Sequence, residues 1–580
     1  MWRIKQIFKE KKQKVPKSIQ EEKEEKLIKL AKKAWQKTLK EFYFPPLNEP
    51  KFLFDHSEKE GFYIDPDNRW QITMNLANTP VFIDEEDYIK YYHAIEMHEV
   101  SHYQIIPYDG LMNAKLLNAA MKSLSRNFAS IAVNIFSDLI IDTKLHNKYP
   151  ELMEWELKKT AANIKAKYKN NISPISKFLL HAYEKFWGIE IDSQDTSKQF
   201  DDPIDQIKGV IMKNFEDETT WPDKMRVVAS LLKDLIENTF TLIGRGVKVR
   251  DGMTSKDDPS KGGQKVEMPK DLVELMDNPM ENKNSDKLKQ DNGDELRQKA
   301  EEYAKDVPYS EFGAPASQAG ILIEGDTLAT WYRGLAKDLI QIRIFEKNPS
   351  GQLPVYPEVW RIGDPIEELD IVQSLLASPL IIPNITTRKW THREGPGHLE
   401  EKKIPDLLIV LDSSGSMGWN IDARTDQGKG NYHTALVSSF AALHYAAKKG
   451  ANFSVINFSG SALTCPWTSD YRKAEKTLLK YQGSGTHLPT EKIFQQCKKA
   501  ERNTLVFIIT DFGIYNWGKS KKLLSQLANL GHKIVGFFIG ARSIPQKKFK
   551  DLLEKVTFYP IRSQKDLINL VIKEVKRYYL

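Results

Sequence analysis

Residues 404–416, IPDLLIVLDSSGS, contain the stretch that decides the fold of the C-terminal part of the chain. The run DLLIVLD is almost entirely apolar, which predicts a strand buried on both faces of a parallel sheet. Similar runs follow in ANFSVINFS from residue 451, TLVFIITD from residue 504 and KIVGFFIG from residue 533. Helical patterns such as HTALVSSFAALHYAAKK lie between them. Strands that alternate with helices predict a doubly wound α/β domain with a mostly parallel sheet.

Polar side chains cluster where these strands are predicted to end. The first strand runs into Asp412, Ser414 and Ser416 on a tight loop. The later loop GSGTHLPT supplies Thr486, and the strand TLVFIITD ends in Asp511. The carboxyl ends of parallel strands meet at one edge of the sheet. Two carboxylates and three hydroxyls suit a hard divalent cation, Mg²⁺ or Mn²⁺, because such ions prefer oxygen ligands.

This arrangement resembles the von Willebrand factor A domain with its metal-ion-dependent adhesion site. The motif of that site is DxSxS followed by a distant Thr and a distant Asp, and residues 404–580 contain all these elements in order. The resemblance implies a Rossmann-like fold. It also implies a cation that keeps one coordination position for a carboxylate of a partner protein. A Ser-rich turn among unrelated polar residues is the alternative interpretation.

A competing motif lies within the same domain. Residues 513–520, GIYNWGKS, match GxxxxGK[ST], the phosphate-binding P-loop, and follow a predicted strand. Only 60 residues follow Ser520 in the 580-residue chain, whereas a P-loop domain needs several further strands. Bulky Tyr515 and Trp517 would also crowd the backbone that has to wrap a phosphate. We therefore expect no nucleotide site here.

The N-terminal part of the chain contains a second candidate metal site. A helical pattern includes HEVSH at residues 98–102, which matches the HExxH motif. His98 and His102 are four residues apart and lie on one helical face, so both imidazoles can reach one Zn²⁺. Glu99 is then placed to act as a general base. Three short strand-like segments precede the helix, at residues 51–54, 61–64 and 70–75, as expected if a sheet edge aligns a peptide beside the metal.

Residues 128–145, FASIAVNIFSDLIIDTKL, supply the third zinc ligand in this interpretation. The segment is apolar almost all round, yet Asn134, Asp138 and Asp142 form a stripe at intervals of four residues. A carboxylate on a buried helix is costly unless it meets a cation or hydrogen-bond donors. We predict Asp138 as the ligand and Asp142 as the residue that orients a ligand histidine. Asn134 is a weaker candidate.

Residues 25–245 resemble HExxH metallopeptidases of the zincin type. They are most similar to the metallopeptidase domains that are fused to a C-terminal von Willebrand A-like domain in bacteria and archaea, through HEVSH and NIFSDLIID. The resemblance implies a zinc metallopeptidase with Glu99 as the catalytic residue. The sequence departs from the pattern at Glu96, where an uncharged residue is usual, and at Gln104, where an apolar one is usual. Relatives known as proteases also use Glu or His as third ligand. A structural helix that matches HExxH by chance is the alternative.

Composition limits the remaining function classes. Lys and Arg number 85 against 78 Asp and Glu, and a net charge of +7 on 580 residues argues against a dedicated nucleic-acid binder. The hydrophobic content of 41% supports several globular cores. Two cysteines, Cys465 and Cys497, suggest a reducing and hence cytoplasmic compartment. No apolar run reaches the length of a transmembrane helix.

We expect five regions along the chain. They are a basic N-terminal segment (1–24), a mainly helical, zincin-like α+β domain (25–245), a flexible linker (246–300), a connecting helical and irregular region (301–403) and the A-like domain (404–580). The linker is predicted because residues 251–300 contain no Phe, Tyr, Trp or Ile. Such a segment cannot bury enough apolar surface to offset its ordering entropy. A helix is expected to start near Asp294.

Two functions follow from these patterns. In the first, the chain is a zinc metallopeptidase whose A-like domain binds a partner or substrate through its Mg²⁺ site. In the second, the chain is a non-proteolytic adaptor. The resemblance implies that such an adaptor works with a MoxR-type AAA+ ATPase in complex remodelling or metal-cofactor insertion. Glu99 between two histidines favours the enzyme, whereas the complete cation site and the long linker favour the adaptor.

Overall fold

The structure of the chain is a computed structural model that comprises two compact units, Met1–Gly334 and Leu335–Leu580. It describes residues 19–54, 62–65, 70–107, 110–191, 199–244, 269–273, 275, 293–322, 327–341, 352–394, 404–422, 426–511, 513–541, 543–544, 549 and 552–579. Most of the predicted basic segment and most of the predicted linker lie outside these residues. No helix within the described ranges has the length and apolar character to cross a membrane.

The first unit is mainly helical with a small sheet. Its helices are α1 (Ile19–Glu41), α2 (Glu85–Gln104), α3 (Leu111–Ala120), α4 (Arg126–Lys148), α5 (Pro150–Tyr168), α6 (Pro174–Trp187), α7 (Asp201–Met212), α8 (Trp221–Gly244), α9 (Lys270–Val273), α10 (Gly293–Asp306), α11 (Tyr309–Gln318) and α12 (Thr327–Gln341), the last crossing the unit boundary. Its strands are β1 (Lys51–Leu53), β2 (Phe62–Asp65) and β3 (Gln71–Asn75). They pair in the order β1-β3-β2, with β1 parallel and β2 antiparallel to β3. The strand-like segments predicted from the sequence agree with these three strands.

Helix α4 lies at the centre of the first unit. Helices α2, α3, α5, α6 and α8 all pack against it, and every residue from 131 to 143 is buried. A helix that is surrounded on all sides has no solvent-facing stripe, which explains why the α4 sequence is apolar almost all round. Its few polar side chains therefore lie in the interior of the unit, and Asp138 is among them.

Two parts of the predicted linker and connecting region belong to the first unit. Helices α10 and α11 both pack on α3, with Tyr303 of α10 fully buried. Within the predicted linker, the short helix α9 buries Leu272 completely. The backbone N–H of Ser173 donates a hydrogen bond of 2.6 Å to Asp271 of this helix. The expected flexible linker thus contains one packed turn, held by the buried Leu272 and by the hydrogen bond between Ser173 and Asp271.

The second unit contains the predicted α/β domain. Its strands are β4 (Gln352–Val359), β5 (Arg388–Glu394), β6 (Asp406–Asp412), β7 (Phe453–Phe458), β8 (Ala462–Thr468), β9 (Thr504–Thr510), β10 (Lys533–Ile539) and β11 (Thr557–Ile561). Its helices are α13 (Ile371–Ala377), α14 (Asp426–Lys448), α15 (Tyr471–Leu478), α16 (Thr490–Lys499), α17 (Trp517–Asn529) and α18 (Gln564–Tyr579). Strands β4 and β5 form a separate antiparallel pair.

The six remaining strands form one sheet in the order β11-β10-β9-β6-β7-β8. All neighbours are parallel except β7 and β8. Every residue of β6, β7 and β9 is buried, as expected for central strands covered on both faces. The chain winds outward in both directions from the β6–β9 pair, so the topological switch point lies between these two strands. Both cysteines of the chain, Cys465 and Cys497, are unpaired and buried in this unit.

Two candidate metal centres

The first candidate centre is built on α2. His98 and His102 lie one turn apart on this helix, and their Nε2 atoms are 3.1 Å from each other. Their ring centroids are 4.8 Å apart. His102 is fully buried, and His98 is partly buried. Strand β2 and helices α4 and α5 pack around α2, so the two imidazoles point into the interior of the unit rather than into solvent.

Asp138 of α4 completes the cluster. Its Oδ1 atom lies 3.3 Å from Nε2 of His102 and 4.0 Å from Nε2 of His98. One ligand atom from each of the three residues lies within 4.8 Å of the others. Two tetrahedral ligands of zinc are about 3.3 Å apart when each metal–ligand distance is about 2.0–2.1 Å. The spacings of 3.1 Å and 3.3 Å are close to this value, whereas the 4.0 Å between Asp138 and His98 is longer.

The chemistry of Asp138 also fits a cation. Neither of its carboxylate oxygens accepts a hydrogen bond from the residues that the structure describes. Burial raises the pKa of Asp138 to about 8, so the carboxyl group keeps its proton at neutral pH unless a cation is near. Buried carboxylates are usually hydrogen-bonded, paired or bound to metals. A zinc ion at this position would supply the missing partner.

Asp142 and Tyr183 form a second layer behind His98. Asp142 Oδ1 lies 2.6 Å from Nδ1 of His98. The hydroxyl of Tyr183 on α6 donates a hydrogen bond of 2.6 Å to the other oxygen of Asp142. A carboxylate on Nδ1 fixes the orientation of the ring, so that Nε2 is directed toward His102 and Asp138. This is the role that the sequence predicts for Asp142. Tyr183 was missed, because no spacing in the sequence connects α6 with α4.

A cavity of about 70 Å³ opens beside His98 and Glu99. Its wall includes Phe62 of the edge strand β2, so a sheet edge does lie beside the cluster. Leu275, which follows α9, forms another part of the wall. Glu156 of α5 also lines the cavity. Burial raises the pKa of Glu156 to about 7, which the sequence alone did not indicate.

The two departures from the zincin pattern have structural explanations. Glu96 is fully buried, and the hydroxyl of Thr38 on α1 donates a hydrogen bond of 3.1 Å to it. Burial raises the pKa of Glu96 well above its ordinary value. Burial thus favours the uncharged form of Glu96, which is the kind of residue that the pattern has at this position. Gln104 is exposed at the end of α2, where a polar side chain carries no desolvation cost.

The second candidate centre lies at the switch point of the six-stranded sheet. Asp412 is the last residue of β6, and Asp511 follows the neighbouring strand β9. Asp412 is fully buried. Its carboxylate accepts hydrogen bonds from the backbone of Ser414 at 2.9 Å and from the hydroxyl of Thr510 at 2.6 Å. Burial raises the pKa of Asp412, and repulsion from Asp511 adds to this effect. A cation between the two carboxylates would relieve both costs.

The hydroxyl groups converge on the same place. The Oγ atoms of Ser414 and Ser416 are 3.2 Å apart. A methyl group added to Gly513 would lie 3.3 Å from Oδ1 of Asp511, 3.8 Å from Oγ1 of Thr486 and 3.9 Å from Oγ of Ser416. Three of the five predicted oxygen ligands thus surround one point next to a glycine. The donor set contains only oxygen, which suits Mg²⁺ or Mn²⁺.

The P-loop match at residues 513–520 has a different structural role. Lys519 is exposed and pairs with Glu491 at 3.2 Å. Ser520 is buried and accepts a hydrogen bond of 2.8 Å from Thr490 of α16. A P-loop directs its Lys and its Ser or Thr toward the same nucleotide. Here the two side chains have different partners, Glu491 for Lys519 and Thr490 for Ser520.

No protein-family model matches the chain, and no curated protein matches it. Three solved structures that are similar to parts of it are the pilus adhesin SpaC from Lactobacillus rhamnosus GG (11% identity, TM-score 0.25, 30% of this chain and 31% of that chain), a von Willebrand factor type A protein from Catenulispora acidiphila (16%, 0.25, 33% and 44%) and manganese-loaded TRAP from Plasmodium vivax (14%, 0.22, 30% and 74%). The chain thus spans less than half the length of the first two. Independently of these likenesses, the six-stranded, mostly parallel sheet is consistent with a von Willebrand A-like domain.

Proposed function

We propose that the first unit is a zinc-dependent peptide hydrolase. The observation that carries the proposal is the convergence of His98, His102 and Asp138, with Glu99 beside them at the wall of a cavity. Zinc in such a site acts as a Lewis acid toward a carbonyl group and toward water. His98, whose Nδ1 is held by Asp142, would offer its Nε2 to a metal ion. Glu99, which lines the cavity beside His98, would be the group that takes a proton from the attacking water.

Glu99→Gln tests this assignment. The substitution keeps the shape of the side chain and removes the base, so zinc content should remain at about one ion per chain while peptide cleavage is lost. Zinc content is measured by atomic absorption, and cleavage with a library of unstructured peptides. Glu86→Gln, at an exposed position in the first turn of the same helix, is the matched control and should retain both properties. Cleavage that survives Glu99→Gln would exclude the mechanism.

We further propose that the second unit binds a protein partner through a divalent cation. The proposed ligands are Asp412, Ser414, Ser416, Thr486 and Asp511. They supply only two carboxylates, so the ion remains electrophilic toward an Asp or Glu of a partner. Titration with Mn²⁺, followed by electron paramagnetic resonance, should show a site that Asp412→Ala removes. The control Glu554→Ala removes an exposed carboxylate of the same unit and should leave the site intact.

A second candidate function is a non-proteolytic adaptor for a MoxR-type AAA+ ATPase. The size of the cavity weighs against peptide binding at the first centre and so favours a non-proteolytic role, because about 70 Å³ is far below the roughly 300 Å³ or more of typical ligand pockets. A pull-down of a candidate ATPase with Mg²⁺, with chelator and with Asp412→Ala tests the adaptor. Two results together would favour the adaptor over the enzyme. The ATPase is recovered only when the cation is present, and Glu99→Gln functions in cells as the wild-type protein does.

A further inference from the structure

Helix α13 has its apolar residues on the outside. Four of its seven side chains are aliphatic and exposed: Ile371 (56%), Val372 (67%), Leu375 (49%) and Leu376 (75%). The residue of this helix that is fully buried is the polar Ser374. A surface helix normally directs its apolar stripe to the core and its polar residues to water. The orientation of α13 is the reverse.

Polar contacts hold α13 in this orientation. The hydroxyl of Ser374 donates a hydrogen bond of 2.6 Å to the carbonyl of Asp370 and accepts one of 2.8 Å from the backbone of Arg388. Asp370 caps the helix by accepting from the backbone of Gln373 at 2.9 Å, and it also accepts from the indole of Trp390 at 2.8 Å. The outward direction of the apolar side chains is therefore fixed by a hydrogen-bond network that ties α13 to β5.

Six more aliphatic side chains extend this surface. They lie in the segments on either side of α13 and are exposed by 42–72%: Ile362, Ile366, Leu380, Ile381, Ile382 and Ile385. The segments are tied together, because the backbone N–H of Ile362 donates a hydrogen bond of 2.7 Å to Asn384. We call these ten residues the aliphatic surface. Elsewhere in the described part of the second unit, the exposed large apolar residues are Leu463, Tyr515, Leu530 and Leu553.

The aliphatic surface has the size of an interface. A fully exposed aliphatic side chain presents roughly 100 Å², so ten that are about half to three-quarters exposed present roughly 600 Å². The largest apolar patch of a typical monomer is about 300–600 Å², whereas one side of a standard protein interface is about 800 Å² including polar area. The charge pattern agrees, since residues 371–385 contain no charged residue. Depletion of charge at the centre, with Arg361 and Glu367 at the edge, is typical of an interface core and rim.

We propose that the aliphatic surface is the interface of a homodimer, covered by a second copy of this chain. Its apolar area of roughly 600 Å² exceeds the apolar share of one side of a standard interface, about 450–500 Å² of roughly 800 Å², so a second copy could bury it in a stable dimer. Homodimer interfaces are also more apolar than transient ones, which use Tyr, Trp and Arg. A two-fold axis through α13 would place the same four side chains against each other, and their lack of charge makes this contact free of repulsion.

The edge of the surface disfavours a membrane as the occupant. Asp364, Glu367 and Glu368 lie within three residues of Ile366. The Nζ atom of Lys389 forms ion pairs with the carboxylates of Asp364 at 3.1 Å and Glu368 at 3.5 Å. The rim therefore carries mixed charge, with Arg361 and Lys389 beside these carboxylates, and lacks the excess of basic residues that attracts anionic lipid headgroups. A protein surface that is itself aliphatic is the better match.

Sedimentation equilibrium of the full chain tests the proposal. The wild-type protein should be a dimer at micromolar concentration. Leu376→Asp and Val372→Asp replace outward-facing side chains, so they should not unfold the protein but should raise the dimer dissociation constant by about 100-fold or more. Circular dichroism verifies the fold of each variant. Leu530→Asp alters a side chain of similar exposure (59%) outside the surface and should leave the dimer unchanged.

Three outcomes would overturn the proposal. One is a wild-type protein that stays monomeric up to about 100 µM, a concentration at which even weak specific dimers associate. Another is a dimer that Leu376→Asp and Val372→Asp leave intact, which would place the interface elsewhere. The last is a monomer that co-floats with vesicles of phosphatidylcholine and phosphatidylglycerol but not after Leu376→Asp, which would make lipid the occupant. The test does not depend on either metal centre.

Discussion

Asp138 is the only carboxylate ligand predicted for the first centre. Its substitution is the most direct test of zinc binding there. Asp138→Asn keeps the size of the side chain and removes its negative charge, so zinc occupancy should fall to a small fraction of one ion per chain. Metal analysis after dialysis against a weak chelator measures this. Asn134→Ala, one turn earlier on α4, should retain zinc. Full occupancy in Asp138→Asn combined with loss in Asn134→Ala would reverse the assignment.

Glu156 gives a prediction about pH. The folded protein holds the proton of Glu156 up to about pH 7, whereas an ordinary glutamate releases it near pH 4.5. Its contribution to stability is therefore fully present below pH 4.5 and is lost as the pH rises through 7. Glu156→Gln stays neutral, so its stability relative to wild type should improve by about 3 kcal/mol between pH 4.5 and pH 8.

Urea unfolding of the first unit at the two pH values measures the difference. Glu151→Gln, an exposed position on the same helix, should show no such trend. A relative stability of Glu156→Gln that does not change with pH would contradict the raised pKa.

The sequence indicated those site residues whose spacing follows a regular period. His98 and His102 are related by one helical turn, and Asp138 was recognisable because a carboxylate stood on an otherwise apolar helix. Tyr183 and Glu156 had no such signal. They reach the cavity only because α5 and α6 pack against their neighbours. Local periodicity in a sequence does not predict which helices pack together.

At the scale of elements, α9 gives a prediction about access to the cavity. This single turn is anchored by the buried Leu272, and Leu275 just beyond it lines the cavity beside His98. Leu272→Asp places a charge in an apolar site and should detach α9. We expect a chelator to remove zinc several-fold faster from this variant, as followed by a colorimetric zinc indicator. Ile83→Asp, at a fully exposed position of the first unit, should not change the rate.

The elements themselves were predictable to different degrees. The buried strands of the second unit and the strand-like segments before α2 were located closely, because apolar runs and alternation depend on burial alone. Helix α9 was missed since its four residues are too few to show a period. Helix α13 was not predicted either, since residues 301–403 were expected only as a connecting helical and irregular region. Apolar residues at helical spacing predict a core-facing stripe, and only the contacts of Ser374 show that this helix is turned around.

At the scale of the whole molecule, two compact units should unfold as two transitions. Zinc at 100 times its dissociation constant should stabilise the first unit by about 2.7 kcal/mol, and Mg²⁺ should do the same for the second. For domains of this size, each effect corresponds to roughly 5–10 °C in the melting temperature. Differential scanning calorimetry with and without each metal measures these shifts.

Two variants assign the transitions. His102→Ala should abolish the response to zinc and preserve the response to Mg²⁺, and Asp412→Ala should do the reverse. A single transition that both metals shift together would show that the units unfold as one cooperative block.

The burial of both cysteines has a practical consequence for spectroscopy. Cys465 and Cys497 are enclosed in the second unit, and burial raises the pKa of Cys497 to about 12 and also raises the pKa of Cys465. Thiols that stay protonated and enclosed react slowly with maleimides. A cysteine introduced at exposed Ile83 or Leu530 would therefore be the site at which a fluorophore attaches, with no need to remove the native pair. One labelled position in each unit would allow energy transfer to report the distance between them in an otherwise unaltered chain.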